Sequence, residues 1–189
     1  MKNIAIFASG SGTNAENLIK YFSTEKNSRV AILLCNKPDA QVLKRAEKLS
    51  VKSEIFDRHD FYVSGRVTEI LSANKIDLIV LAGFLWLVPE SIINIYRGRI
   101  INIHPALLPG YGGKGMYGSR VHSAVIENGE KESGITIHYV NEIYDKGDII
   151  FQARCRVKPG DSPESLAERI HELEYKYFPG VVKEVLSGL

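Results

Sequence analysis

The chain is predicted to fold as one α/β domain over residues 1–189, a doubly wound, mostly parallel sheet with an antiparallel element toward its C-terminal part. Three observations predict it. Strand-like and helix-like segments alternate from the first residue. The strand-like runs are apolar along their whole length, as strands covered on both faces must be. Near the C-terminal part, two strand-like runs follow one another across a turn. No repeat, low-complexity tract or long linker divides the chain.

Asn3 to Ala8 is a mostly apolar run stopped by Ser9-Gly10-Ser11-Gly12, and Asn14 to Phe22 then takes helical spacing through Leu18, Ile19 and Phe22. This is strand, tight turn, helix. Val30 to Cys35 and Leu78 to Ala82 read as buried strands, with Ser53 to Phe56 and Ile100 to Ile103 as shorter ones. Helical segments at Gln41 to Leu49 and about Phe61 to Ala73 lie between them. After Pro105, five glycines from Gly110 to Gly118 crowd a stretch without apolar periodicity, which predicts a long loop. Ser119 to Glu127 returns to helix, and Ile135 to Val140 and Ile149 to Val157 read as strands joined by a turn that carries Asp145. Ser162-Pro163 is an N-cap and first-turn signal for a helix with Leu166, Ile170, Leu173 and Tyr177 on its apolar face. Pro179-Gly180 is expected to end it, with a short helix closing the chain.

Bulk properties narrow the function. A length of 189 residues suits one sizeable core. The 24 basic and 22 acidic residues balance, and no basic stripe interleaved with aromatics appears, so a nucleic-acid partner is disfavoured and a small-molecule partner expected. The longest apolar stretch, Leu78 to Val88, falls short of the roughly 20 residues of a membrane span. Lys2-Asn3 opens the chain without the pattern of a signal peptide, so a cytoplasmic protein with no membrane partner is expected. Cys35 and Cys155, far apart in strand-like segments, are expected to be buried free thiols.

The turn after the first strand leaves backbone N–H groups at the positive end of a helix, where an anion, and above all a phosphate, binds. Gly10-Ser11-Gly12-Thr13-Asn14-Ala15 fits the loose dinucleotide fingerprint, but Asn36-Lys37-Pro38 stands where an acidic residue would hold a ribose about 20 residues on, which disfavours NAD. A βα turn without ligand is the competing reading. Ser11, Thr13 and Asn14 add side-chain donors that a mere turn does not need. A nucleoside-triphosphate loop at Gly113-Lys114 fails, since Leu108 replaces the earlier glycine and Gly115 the hydroxyl residue.

Asn102-Ile103-His104-Pro105 ends an apolar run, and Asp145-Lys146-Gly147 follows on a later loop. An amide, an imidazole and a carboxylate can together hold a neutral acyl centre, stabilise its oxyanion and move a proton without a metal or a protein nucleophile. In open parallel sheets ligands sit at the carboxyl ends of strands, so one cleft can hold this group and the phosphate loop. A rigid His-Pro turn and a turn-forming Asp145 are also compatible with local chemistry.

Ser9-Gly10-Ser11-Gly12-Thr13-Asn14, Leu81-Ala82-Gly83-Phe84, Asn102-Ile103-His104-Pro105-Ala106-Leu107-Leu108-Pro109 and Asp145-Lys146-Gly147 together resemble the phosphoribosylglycinamide formyltransferases, over the whole chain. The His-Pro-x-Leu-Leu-Pro element marks folate-dependent formyltransferases generally, while the phosphate loop and the chain length point to this branch. A methionyl-tRNA formyltransferase would carry an extra C-terminal domain and a formyltetrahydrofolate deformylase an extra N-terminal one. The resemblance implies a Rossmann-like formyltransferase fold. It further implies transfer of formyl from 10-formyltetrahydrofolate, as co-substrate, to the amine of glycinamide ribonucleotide in purine synthesis, with no metal.

In that scheme Asn102 and His104 stabilise the tetrahedral intermediate, and Asp145 orients and charges His104 and relays the proton. Ser11, Gly12, Thr13, Asn14, Gly83, His171 and Glu174 would bind the ribonucleotide, with Glu174 near its ribose. His171 and Glu174 share one helix face, which a solvated charged face would explain equally. Arg58, Leu85, Trp86, Leu87, Val88, Asn102, Val140, Asn141 and Asp145 would bind the folate, with Arg58 toward its glutamate. Trp86 stands where the family can carry arginine. The Gly110–Gly118 loop is longer and more glycine-rich than the family pattern, and Asp148 stands where proline often follows the Asp-x-Gly motif. His122 is expected near the folate pocket, and His59 and His138 are expected to be structural.

Overall fold

In the computed structural model, which describes Met1 to Leu189, strand β1 (Lys2–Ala8) and helix α1 (Thr13–Phe22) are followed by β2 (Ser28–Cys35), α2 (Gln41–Lys48) and β3 (Ser53–Ile55). Two short helices, α3 (Arg58–Tyr62) and α4 (Arg66–Ala73), lead to β4 (Leu78–Leu81), α5 (Glu90–Ile95) and β5 (Ile100–His104). The rest comprises α6 (Ser119–Glu127), β6 (Glu132–Tyr139), β7 (Ile149–Arg156) and α7 (Pro163–Ser187). All seven strands join one sheet in the order β3-β2-β1-β4-β5-β6-β7. Pairings from β3 to β5 are parallel, whereas β5·β6 and β6·β7 are antiparallel, so the expected architecture holds.

Strand periodicity divides the core. Ile4, Ile6 and Ala8 of β1 pack with α1, α2 and α7 on one face, and Ala5 and Phe7 pack with α3, α4 and α5 on the other. Phe7 also anchors an aromatic group, with ring centroids 5.8 Å from Phe56 and 5.3 Å from Phe84. Cys35 is a buried free thiol as expected, while free Cys155 is only half-buried, because β7 is an edge strand.

Three elements differ from expectation. The segment expected as one helix over Phe61 to Ala73 is two. An Asp57–Asp60 capping box starts α3 early, and Gly65, at φ 78°, restarts the chain as α4. Helix α5 has too short an apolar pattern to stand out in the sequence. Finally, α7 continues through Pro179 to Ser187. Beyond the proline, Val181, Val182, Val185 and Leu186 are buried, each contributing roughly 1.5–3 kcal/mol, which outweighs the about 3 kcal/mol cost of a helical proline. The carbonyl that Pro179 cannot serve, that of Tyr175, accepts from the Asn17 amide of α1 at 3.0 Å.

β1, β4 and β5 end at one edge of the sheet, with β1 beside β4 where the strand order reverses. Two bonds stitch the loops there. Ser9 N–H donates to the Gly83 carbonyl at 3.1 Å, and Leu85 N–H donates to Ser9 Oγ at 3.1 Å. The crevice outside these strand ends is where an α/β sheet of this kind takes a ligand.

Candidate active site

A cleft of about 590 Å³ opens at that crevice. The glycine turn forms one end. Gly12, at φ 76°, is the N-cap of α1, and a side chain there would run into Val42, whose Cγ2 lies 2.2 Å from the Cβ position. Only glycine fits both demands. The loop carbonyls are engaged by α2, since Gly10 O accepts from Val42 N at 3.2 Å and Ser11 O from Arg45 Nε at 2.8 Å. Glu16 of α1 pairs with Arg45 and steadies it. With no side-chain cap on the helix, its first N–H groups are left to an anion.

Asn14 does not point freely to ligand. Its Nδ2 donates to Glu174 Oε2 at 2.9 Å, and His171 Nδ1 lies 2.9 Å from the same oxygen, so the helix-face spacing does bring His171 and Glu174 together. The Glu174 hydrogen bond holds the His171 imidazole above its ordinary value, against the opposing effect of burial. His122, only 3% exposed, lines the cleft within the field of His171, Glu174 and His104, and its Nδ1 has no partner. Burial, reinforced by the like charge of His171, lowers its basicity.

The chemical centre lies at the end of β5. Ile101 and Ile103 face the α1 and α7 side of the core, so alternation turns Asn102 and His104 to the opposite face. Antiparallel pairing sets His138 of β6 directly across from Asn102 and Thr136 across from His104. The Asn102 amide Nδ2 lies 3.1 Å from His138 Nε2, whose Nδ1 donates to the Tyr139 carbonyl at 2.8 Å. In its neutral form His138 therefore accepts from Asn102, which keeps its second N–H for a ligand. Thr136 accepts from Leu108 N at 3.0 Å and donates to Ala106 O at 2.7 Å, fixing the turn after His104.

Asp145, on the β6–β7 connection, reaches both imidazoles. Its Oδ2 stands 3.7 Å from His104 Nδ1 and its Oδ1 stands 3.5 Å from His138 Nε2, while Gly113 N–H donates to Oδ2 at 2.8 Å. Burial pushes the carboxyl up, but the neighbouring His138 and His104 rings and the Gly113 N–H together leave it below its ordinary value. His104 is 3% exposed, and its Nε2 donates to the Tyr111 carbonyl at 2.8 Å. Burial lowers its basicity more than Asp145 and that carbonyl raise it. Burial and the Asp145 carboxylate thus act on the His104 ring in opposite directions.

The other end is walled by Leu85, Trp86, Leu87 and Val88, with Gly83, Val140 and Asn141 also lining the cleft. Tyr62 Oη donates to the Leu87 carbonyl at 2.9 Å and holds this loop. Arg58 is the one expected site residue that does not line the cleft. Its guanidinium stacks over Trp86, 4.7 Å from the ring centroid. His59 is exposed on α3, as a structural reading allows, and the Gly113–Gly118 segment lines the cleft. No group of three or more His, Cys, Asp or Glu is arranged to hold a metal ion. Sequence reasoning missed His138 and Tyr111. The alternation of Thr136 and His138 with Ile135 and Ile137 was a signal for the first, and nothing local marks the second.

An α/β sheet whose crevice gathers amide, imidazole and carboxylate beside an anion-binding turn is the framework of an acyl-group transferase. The formyl transferase family profile matches residues 2–182. A phosphoribosylglycinamide formyltransferase of Bacillus subtilis is 37% identical over 99% of this chain and 96% of its own. Crystal structures of glycinamide ribonucleotide transformylase 1 from Geobacillus kaustophilus and Symbiobacterium toebii superpose with TM-scores of 0.89 and 0.90. They are 35% and 32% identical, covering 98% and 100% of this chain and 99% and 89% of theirs. The chain belongs to the formyl transferase family.

Proposed function

We propose that this protein transfers the formyl group of 10-formyltetrahydrofolate to the amine of glycinamide ribonucleotide in purine biosynthesis. The observation that carries the reading is the convergence of Asn102, His104 and Asp145 in one cleft with an unobstructed helix N-terminus. The phosphate of the ribonucleotide sits on the Ser11–Asn14 turn, with Gly83, His171 and Glu174 toward its ribose. The folate lies along Leu85–Val88, Val140 and Asn141, with Arg58 acting through Trp86 at the tail. Both partners are small molecules, with neither nucleic acid nor membrane involved, and a cytoplasmic location belongs to the same reading.

The amine lone pair attacks the formyl carbon, and the carbonyl π pair moves to oxygen, where the spare N–H of Asn102 donates to it. His104 stabilises the same oxygen, and the Asp145 carboxylate facing its ring relays the proton lost by the attacking nitrogen. The oxygen pair then re-forms the carbonyl, the bond to the folate nitrogen breaks with its electron pair going to that nitrogen, and the relayed proton ends there. Formylated ribonucleotide and tetrahydrofolate leave, and Asp145 is a carboxylate again.

The test is formyl transfer assayed with and without glycinamide ribonucleotide. Product that requires the amine supports the reading, and formate released without it indicates a deformylase instead. His104→Ala should lower kcat by about 10²-fold or more with ribonucleotide affinity preserved, and near-normal turnover removes His104 from the mechanism.

A further inference from the structure

We propose that Arg45 is a positioning residue for the anion turn: by gripping the Ser11 carbonyl from behind, it aims the Gly12 N–H into the cleft and so sets the affinity for the phosphate of the substrate. The inference rests on the assignment of that turn to a phosphate. Each peptide of the turn is trans, so its C=O and N–H point in opposite directions within one plane. Whatever holds the carbonyl therefore aims the N–H. Arg45 Nε donates to Ser11 O at 2.8 Å, which fixes the Ser11–Gly12 peptide, and Val42 N–H donates to Gly10 O at 3.2 Å, which fixes the Gly10–Ser11 peptide. Both donors belong to α2. Ser11 and Gly12 line the cleft whereas Val42 and Arg45 do not, so the two N–H groups face the cleft as the two carbonyls face α2. A left-handed Gly12 followed by helical residues gives such N–H groups the concave arrangement that takes an anion.

The guanidinium does more than fill a place on α2. Arg45 reaches the turn through Nε and pairs through Nη1 with Glu16 of α1, so one rigid planar group ties the turn, α1 and α2 together. A lysine ammonium has no such fork. The bond to Ser11 O is charge-assisted, and a carbonyl polarised in this way makes the N–H of its own peptide a stronger donor. Aim and donor strength then improve together. Behind the turn, Arg45 faces a groove between α1 and α2 that also carries Lys20, Lys44 and Lys48. Of these four cations only Arg45 bonds the turn, which separates a grip on the backbone from a general positive field.

The experiment compares the native chain with Arg45→Met and Lys44→Met. In 15N-labelled protein, ribose 5-phosphate should move the Gly12 amide proton downfield, and Arg45→Met should need about tenfold more of it for the same shift, the effect of one charge-assisted bond. In formyl transfer, Arg45→Met should raise KM for glycinamide ribonucleotide about tenfold while kcat and KM for 10-formyltetrahydrofolate stay within about twofold. With the dephosphorylated ribonucleoside as acceptor, kcat/KM should also stay within about twofold, because the phosphate contact is then missing from both proteins. Lys44→Met should stay within about twofold in every measurement. An unchanged ribonucleotide KM, an equal loss with the ribonucleoside, or an equal loss in Lys44→Met overturns the proposal. If Arg45→Met does not fold, Arg45→Lys carries the same test, with a loss of at least about threefold expected for want of the fork. A Gly12 amide that ribose 5-phosphate does not move would sink the phosphate assignment and this inference with it. One that moves equally in native and Arg45→Met protein would sink the inference alone. An Arg45-dependent shift in a protein without formyl transfer would sink the proposed reaction and leave the role of Arg45 standing.

Discussion

His104 illustrates how burial becomes chemistry. An imidazole taken out of water resists protonation, and here a neighbouring carboxylate opposes that resistance. The sign of one comparison follows. Asp145 raises the basicity of the His104 ring, so Asp145→Asn should move the ring's titration further into acid besides lowering formyl transfer, which NMR of the ring and a rate assay on both proteins measure. An unmoved titration would mean that the carboxylate does not act on the ring. Asn102, His104 and Asp145 were legible in the sequence because amide, imidazole and acid each ended a recognisable segment. Alternation along β6 signalled the face of His138 but not its place opposite Asn102, which depends on the register of β5 against β6 that no single strand encodes.

Helices α1 and α7 carry between them the end of the cleft proposed for the ribonucleotide. Asn14 of α1 bonds Glu174 of α7 at 2.9 Å, and three residues on Asn17 bonds the carbonyl vacated by Pro179 at 3.0 Å. The proline that was expected to stop α7 instead frees an acceptor through which α1 holds it. Asn17→Ala should cost about 0.5–1.5 kcal/mol in denaturant unfolding and raise KM for the ribonucleotide with kcat little changed. Unchanged stability and unchanged KM together would make the contact incidental. Pro179-Gly180 does not stop the helix as expected, because packing of four buried side chains beyond it overrides the local chemistry of the proline. The same competition explains why α3 and α4 were merged. Apolar spacing runs through Phe61, Val67 and Leu71, and only the positive φ of Gly65 reveals the break.

Across the whole molecule, one sheet joins every functional end. The Ser9–Gly12 turn leaves β1, the Leu85–Val88 wall follows β4, and the Asn102–His104 pair closes β5, three adjacent strands of a continuous core. Ligand that binds the folded chain alone must then stabilise it as a unit. Glycinamide ribonucleotide at a hundred times its Kd should add about 2.7 kcal/mol to unfolding, seen as one upshifted thermal transition. A transition split into two, with only one responding, would mean the cleft folds apart from the remainder. The architecture was legible because fully apolar strands admit few arrangements besides a covered parallel sheet. The Gly110–Gly118 loop was not, since its shape is imposed by Leu108, Asp145 and Glu130 from elsewhere in the chain. One feature of the cleft wall also gives the protein its own optical probe. Trp86 is the sole tryptophan of the chain and stands at the end assigned to the pterin co-substrate, under the Arg58 cation. Its ultraviolet emission therefore reports from a single place, so quenching or a colour change on titration reads occupancy of that end without any label.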